Sequence, residues 1–137
     1  MSSRRKRILI KKPGGYSGLL MDGTPLEDPG PEEIQVQVRA CGINFADISV
    51  RLGLYAAARG LYPLCPGLEY AGIVKRTGPR TTGFQPGDRV FGATRFGAYT
   101  TVINTTPQQL WHLPDHWDFS RGAAFPVAYL TAYYALH

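Results

Sequence analysis

Ile34-Gln35-Val36-Gln37-Val38-Arg39-Ala40 alternates apolar and polar side chains without a break. Successive side chains of a strand point to opposite faces, so Ile34, Val36, Val38 and Ala40 are predicted to face a core, and Gln35, Gln37 and Arg39 to face water. A strand wetted on one side pairs most readily with antiparallel neighbours. Just upstream, Asp28-Pro29-Gly30-Pro31 reads as a turn, because proline fixes φ and glycine accepts positive φ. An earlier strand of the same sheet is predicted from Arg7 to Lys11. Further short strands are predicted at Tyr70 to Lys75, Asp88 to Phe91 and Ala98 to Asn104, punctuated by Gly and Pro. The 137 residues include 16 Gly and 11 Pro, a content that favours tight turns between short strands over a helical bundle. The expected class is a mainly β small barrel or sandwich.

Two segments read as helices. Asn44 is placed to cap a helix over Phe45 to Leu52, on which Phe45, Ile48 and Leu52 share one face, and Gly53 ends it. A second helical stretch starts near Asp118 or Ser120. Pro126 interrupts it, so a further helix is expected from about Val127. The sequence stops inside that helix, which lacks a surface to bury its apolar residues; the chain is therefore expected to be a fragment of a longer protein.

The length, with 44% hydrophobic residues, suits one domain with a core. The net charge of +5 is unevenly placed. Six of the fifteen basic residues, Arg4, Arg5, Lys6, Arg7, Lys11 and Lys12, precede every acidic residue, and from Pro13 onward nine basic residues face ten acidic ones. A near-neutral body with a basic tail at residues 1–6 does not make a nucleic-acid footprint. No run approaches the ~18 apolar residues needed to span a bilayer. Cys41 and Cys65 are the only cysteines and form no CxxC pair, which points to a reducing, cytoplasmic setting and offers no zinc lobe. His112 and His116 have i,i+4 spacing, but Pro114 between them breaks the helix that would align two ligands, so they are read as imidazoles of a surface loop.

Four stretches in order carry a family resemblance: Cys41-Gly42-Ile43-Asn44-Phe45-Ala46-Asp47, Pro66-Gly67-Leu68-Glu69-Tyr70-Ala71-Gly72-Ile73-Val74, Phe84-Gln85-Pro86-Gly87-Asp88-Arg89-Val90, and Gly122-Ala123-Ala124 through Leu130-Thr131-Ala132-Tyr133. Together they resemble the N-terminal GroES-like catalytic domain of the medium-chain dehydrogenase/reductase superfamily, in its zinc-independent quinone oxidoreductase and VAT-1-like branch. The resemblance implies a partly open β-barrel with short helices. It divides the chain into a tail at 1–6, a GroES-like catalytic domain at 7–125, and at 126–137 the start of a helix leading to an absent Rossmann domain. It also implies reduction of a quinone or of a carbon–carbon double bond conjugated to a carbonyl, with hydride from NADPH.

Residue by residue, the family pattern makes Asn44 and Tyr55 the catalytic candidates, and Asn44, Asp47 and Thr131 the cofactor-binding ones. The carboxamide of Asn44 both donates and accepts, and the phenol of Tyr55 suits a flat acceptor. Glu69, also a family position, is expected to satisfy buried polar partners rather than to act as a base. Some quinone reductases have a tyrosine where this chain has Ser49, and serine is a poorer proton donor. Zinc alcohol dehydrogenases of the superfamily have a cysteine at the position of Asn44 and a histidine at that of Leu68, so no catalytic zinc is expected. No G-x-G-x-x-G turn is present, and the chain alone is expected neither to bind NADPH tightly nor to turn over. The substrate is expected to be a small molecule and the full-length protein a homodimer. The alternative reading is a non-enzymatic GroES-like interaction or scaffold domain.

Overall fold

The computed structural model describes residues 4–137. Its main sheet has five antiparallel strands: β3 (Ile34–Cys41), β4 (Glu69–Thr77), β5 (Arg89–Ala93), β6 (Val102–Thr105) and β7 (Leu110–His112), ordered β6-β3-β4-β5-β7. A separate hairpin pairs β1 (Arg4–Ile10) with β2 (Leu19–Pro25). Bridges from Arg7 to Thr100 and from Ile10 to Leu64 fasten it to the body. The two sheets do not close on one another, which gives the partly open, mainly β architecture expected from the sequence.

Ile34, Val36, Tyr70, Val74, Val90, Ile103 and Leu110 pack into the core of the main sheet. A second, smaller core of Ile10, Val50, Ala58 and Leu64 lies under the first helix. The alternation over Ile34–Ala40 holds with one correction: Gln35 is fully buried rather than wet. Its Nε2 donates to the Glu27 carbonyl at 2.8 Å and to Asn104 Oδ1 at 3.2 Å, an arrangement that a buried amide requires.

Strand β1 begins at Arg4, three residues before the predicted start, so residues 4–6 of the expected tail lie in a hairpin. Arg7 pairs there with Asp22 at 2.9 Å, and Arg5 donates to Thr24 at 3.1 Å. His112 is in strand β7 rather than a loop, stacked on Phe84 with centroids 4.6 Å apart, while His116 lies in the following turn.

The helices are α1 (Phe45–Leu52), α2 (Phe119–Ala124) and α3 (Pro126–Leu136). Asp118 caps α2 by accepting the Arg121 amide at 2.7 Å. Pro126 breaks the run as predicted and becomes the first residue of α3, where its missing N–H costs no hydrogen bond. The face of α1 shared by Phe45, Ile48 and Leu52 is turned outward, with Phe45 80% exposed; Asp47 and Val50 point in. No helix among the described residues is long and apolar enough to cross a membrane.

Candidate active site

The end of β3 delivers the chain into Gly42, Ile43 and Asn44, and Asn44 sits at the N-cap of α1 with extended backbone (φ −124°, ψ 155°). Asp47, three residues on, accepts the Asn44 amide at 2.9 Å, the return half of a capping box. Asp47 is nearly fully buried, so its remaining acceptor capacity must be met inside the fold. Oδ2 also accepts the Tyr99 hydroxyl at 2.9 Å, and Oδ1 accepts the Gly67 amide at 3.2 Å. Both oxygens are thus committed to protein donors.

Burial, followed by the Asp47 charge, raises the Tyr99 phenol above its ordinary value, so it remains a proton donor throughout the neutral range. Gly67 has φ +100°, and a Cβ there would lie 2.5 Å from the Tyr99 ring, so glycine is required for this contact. Beside them, burial pushes the Cys65 thiol up to about 11 against the opposing pull of Arg7.

Glu69, the first residue of β4, is 2% exposed. Its Oε1 accepts Asn44 Nδ2 at 2.9 Å and its Oε2 accepts the Val127 amide at 2.8 Å. This matches the expected role of a satisfied buried carboxylate. The second Nδ2 hydrogen of Asn44 has no partner among the described residues. Oδ1 has two lone pairs and at most caps the first turn of α1, which leaves one free. The half-buried Asn44 therefore offers a donor and an acceptor to a ligand.

Tyr55 follows α1 and packs on the smaller core, edge-on to Phe96 at 6.2 Å; its hydroxyl bonds to no described residue. Thr131 lies on α3 one turn beyond Val127 and is exposed. Of the candidates, Asn44 and Asp47 are in direct contact, Thr131 is linked to Asn44 through Glu69 and the start of α3, and Tyr55 shares no hydrogen bond with them. Gly42 and Tyr99 were not anticipated. Tyr99 stands 52 residues from Asp47 in sequence, and no local pattern announces that contact.

Leu68 has no lone pair, and no three His, Cys, Asp or Glu among the described residues gather as a metal site. The donor set does not fit a catalytic zinc.

Comparisons with known proteins place the chain in a family. Residues 30–115 match the alcohol dehydrogenase GroES-like domain. The chain is 36% identical over 128 residues to the synaptic vesicle membrane protein VAT-1 homolog-like of Mus musculus, covering 93% of this chain and 30% of that protein. It is 42% identical over 111 residues to quinone oxidoreductase of Lama guanicoe, covering 79% of this chain and 33% of that protein. The crystal structure of Escherichia coli quinone oxidoreductase complexed with NADPH superposes with a TM-score of 0.88 at 37% identity, over 96% of this chain and 40% of that one. The chain spans about a third or less of the length of the curated relatives it matches. It belongs to the alcohol dehydrogenase GroES-like domain family, within the quinone oxidoreductase and VAT-1 branch of the medium-chain dehydrogenase/reductase superfamily.

Proposed function

We propose that this chain forms the acceptor-side wall of an NADPH-dependent reductase of quinones or α,β-unsaturated carbonyls, a cytoplasmic homodimer when joined to its nucleotide-binding domain. The observation that carries this reading is the Asn44 carboxamide, braced from behind by Glu69 and still holding a free N–H and an oxygen lone pair. A bound nicotinamide supplies the hydride. Asn44 and Thr131 would border that group, and Asp47 supports Asn44 by holding its backbone at the head of α1. The free N–H of Asn44 and the uncommitted Tyr55 hydroxyl are donors for a carbonyl oxygen that gains charge as the acceptor is reduced. The flat phenol of Tyr55, fixed by its packing on Phe96, suits the face of a planar acceptor.

The chain alone should bind NADPH only weakly, because it holds one wall of the site. Isothermal titration with NADPH is expected to give no micromolar binding, and micromolar binding would contradict the two-wall reading. Joined to the nucleotide-binding domain of the Escherichia coli quinone oxidoreductase, the chain is expected to oxidise NADPH with a small benzoquinone. A fusion that folds and binds NADPH but leaves quinones and enones untouched would favour the interaction-domain reading instead.

A further inference from the structure

The two orientations of an asparagine carboxamide have nearly the same shape and differ in which end is oxygen. Beside Asn44 that degeneracy is removed. Glu69 is an acceptor-only side chain at 2.9 Å, and turning the carboxamide over would set Asn44 Oδ1 against Glu69 Oε1 with no hydrogen between them. The other carboxylate oxygen holds the Val127 amide at 2.8 Å. That amide is one of the orphan donors at the start of α3, directly after Pro126, where negative charge is favoured. One buried carboxylate therefore faces both the side chain of Asn44 and the first turn of the helix that carries Thr131.

Gly42 makes room for this arrangement. A Cβ at that position would overlap Glu69 Oε1 and Cγ, and the Gly42 amide also donates to the Glu69 carbonyl at 3.1 Å.

We propose that Glu69 is a positioning residue. It holds Asn44 in the single orientation that presents a free N–H and an oxygen lone pair outward, and it ties that orientation to the start of α3 so that Asn44 and Thr131 are set as one unit. The proposal rests on the reading of Asn44 given above, and it adds that the orientation of the carboxamide is set by a residue that touches neither cofactor nor acceptor.

Glu69→Gln keeps the shape and leaves one acceptor oxygen for two donors. In the chain itself, labelled with 15N-asparagine, the Asn44 side-chain amide is expected to give two well-separated hydrogen resonances in the wild type. In E69Q these should move toward the values of an unconstrained carboxamide. Gly42→Ala, which keeps the carboxylate but displaces it, should move them likewise and serves if E69Q does not fold. Unchanged Asn44 resonances in either folded variant would overturn the proposal.

In the fusion with the nucleotide-binding domain, E69Q is expected to lower kcat on the order of tenfold with little change in the KM for quinone, and to add nothing in an Asn44→Ala background. An equal loss in both backgrounds would make Glu69 a structural support and overturn the proposal. Full turnover by Asn44→Ala alone would defeat the assignment of Asn44 itself, a result distinct from failure of the Glu69 coupling.

Discussion

Helices α1 and α3 both expose apolar residues and are held in different ways. Helix α1 is fixed along its length: Asp47 is bonded to Asn44, Gly67 and Tyr99, Val50 is fully buried, and Gly53 closes the end in the left-handed region at φ 78°. Helix α3 is held at its first turn, by buried Pro126, by the Val127 bond to Glu69 and by Tyr129 stacked on Phe125 at 4.3 Å. Beyond that turn it stands in solvent, with Tyr134 88% exposed. Each helix has a polar anchor near its start, Asp47 in α1 and the Val127 amide in α3, beside a small apolar contact at Val50 and Pro126. Both leave apolar side chains exposed, Phe45 and Ile48 on α1 and Leu130 and Tyr133 on α3.

The largest effect is expected at Asp47. Asp47→Ala strands three donors, two of them backbone amides, and is expected to lower the unfolding free energy by about 3 kcal/mol in urea titration, because unmade buried hydrogen bonds cost more than made ones contribute. Tyr99→Phe removes one donor to the same carboxylate and leaves two; a loss of about 1.5 kcal/mol is expected. A loss under Tyr99→Phe as large as that under Asp47→Ala would mean that the hydroxyl alone anchors α1.

A separate effect is expected at alkaline pH. Folding raises the Cys65 thiol from 9.0 to about 11 through burial, so the unfolded chain gives up this proton first. The stability contributed by the protonated thiol is whole below pH 9 and is lost as pH rises toward 11. Thermal melts across that window should show a falling Tm, and Cys65→Ser should shrink the fall; an identical fall in the variant would remove Cys65 as its source. At the far end of α3, Tyr134→Ala is expected to shift stability by no more than about 0.5 kcal/mol. A large loss there would show that α3 is fastened beyond its first turn.

Much of this was legible in the sequence where the signal is local. The strand over Ile34–Ala40, the start of α1 at Asn44, the Gly53 stop and the Pro126 break each depend on neighbours within a few residues, and each appears in the structure, with Gln35 the exception to the strand's alternation. Long-range contacts reversed other readings. Gln35 is buried, its Nε2 donating to the Glu27 carbonyl and to Asn104, 69 residues away. Arg4, Arg5 and Lys6 look like a solvated tail until β2 supplies their partner strand, and Leu19-Leu20-Met21 carries no alternation to announce that strand.

Phe45, Ile48 and Leu52 form a correct amphipathic stripe, but the stripe faces outward because Asp47 is the residue anchored inside. At the site, Asn44 and Glu69 stood out through family motifs. The bond between them did not, since 25 residues separate the two and only the fold brings β4 beside the head of α1.

Asn44, held from behind by Glu69, is the proposed donor to the acceptor carbonyl. Its most direct test is turnover of NADPH and a small benzoquinone by the fusion protein carrying Asn44→Ala, with folding checked by an unchanged thermal melt. A fall in kcat of at least about a hundredfold is expected, the scale for loss of a donor aimed at developing charge. Undiminished turnover in the folded variant would rule out Asn44 as that donor.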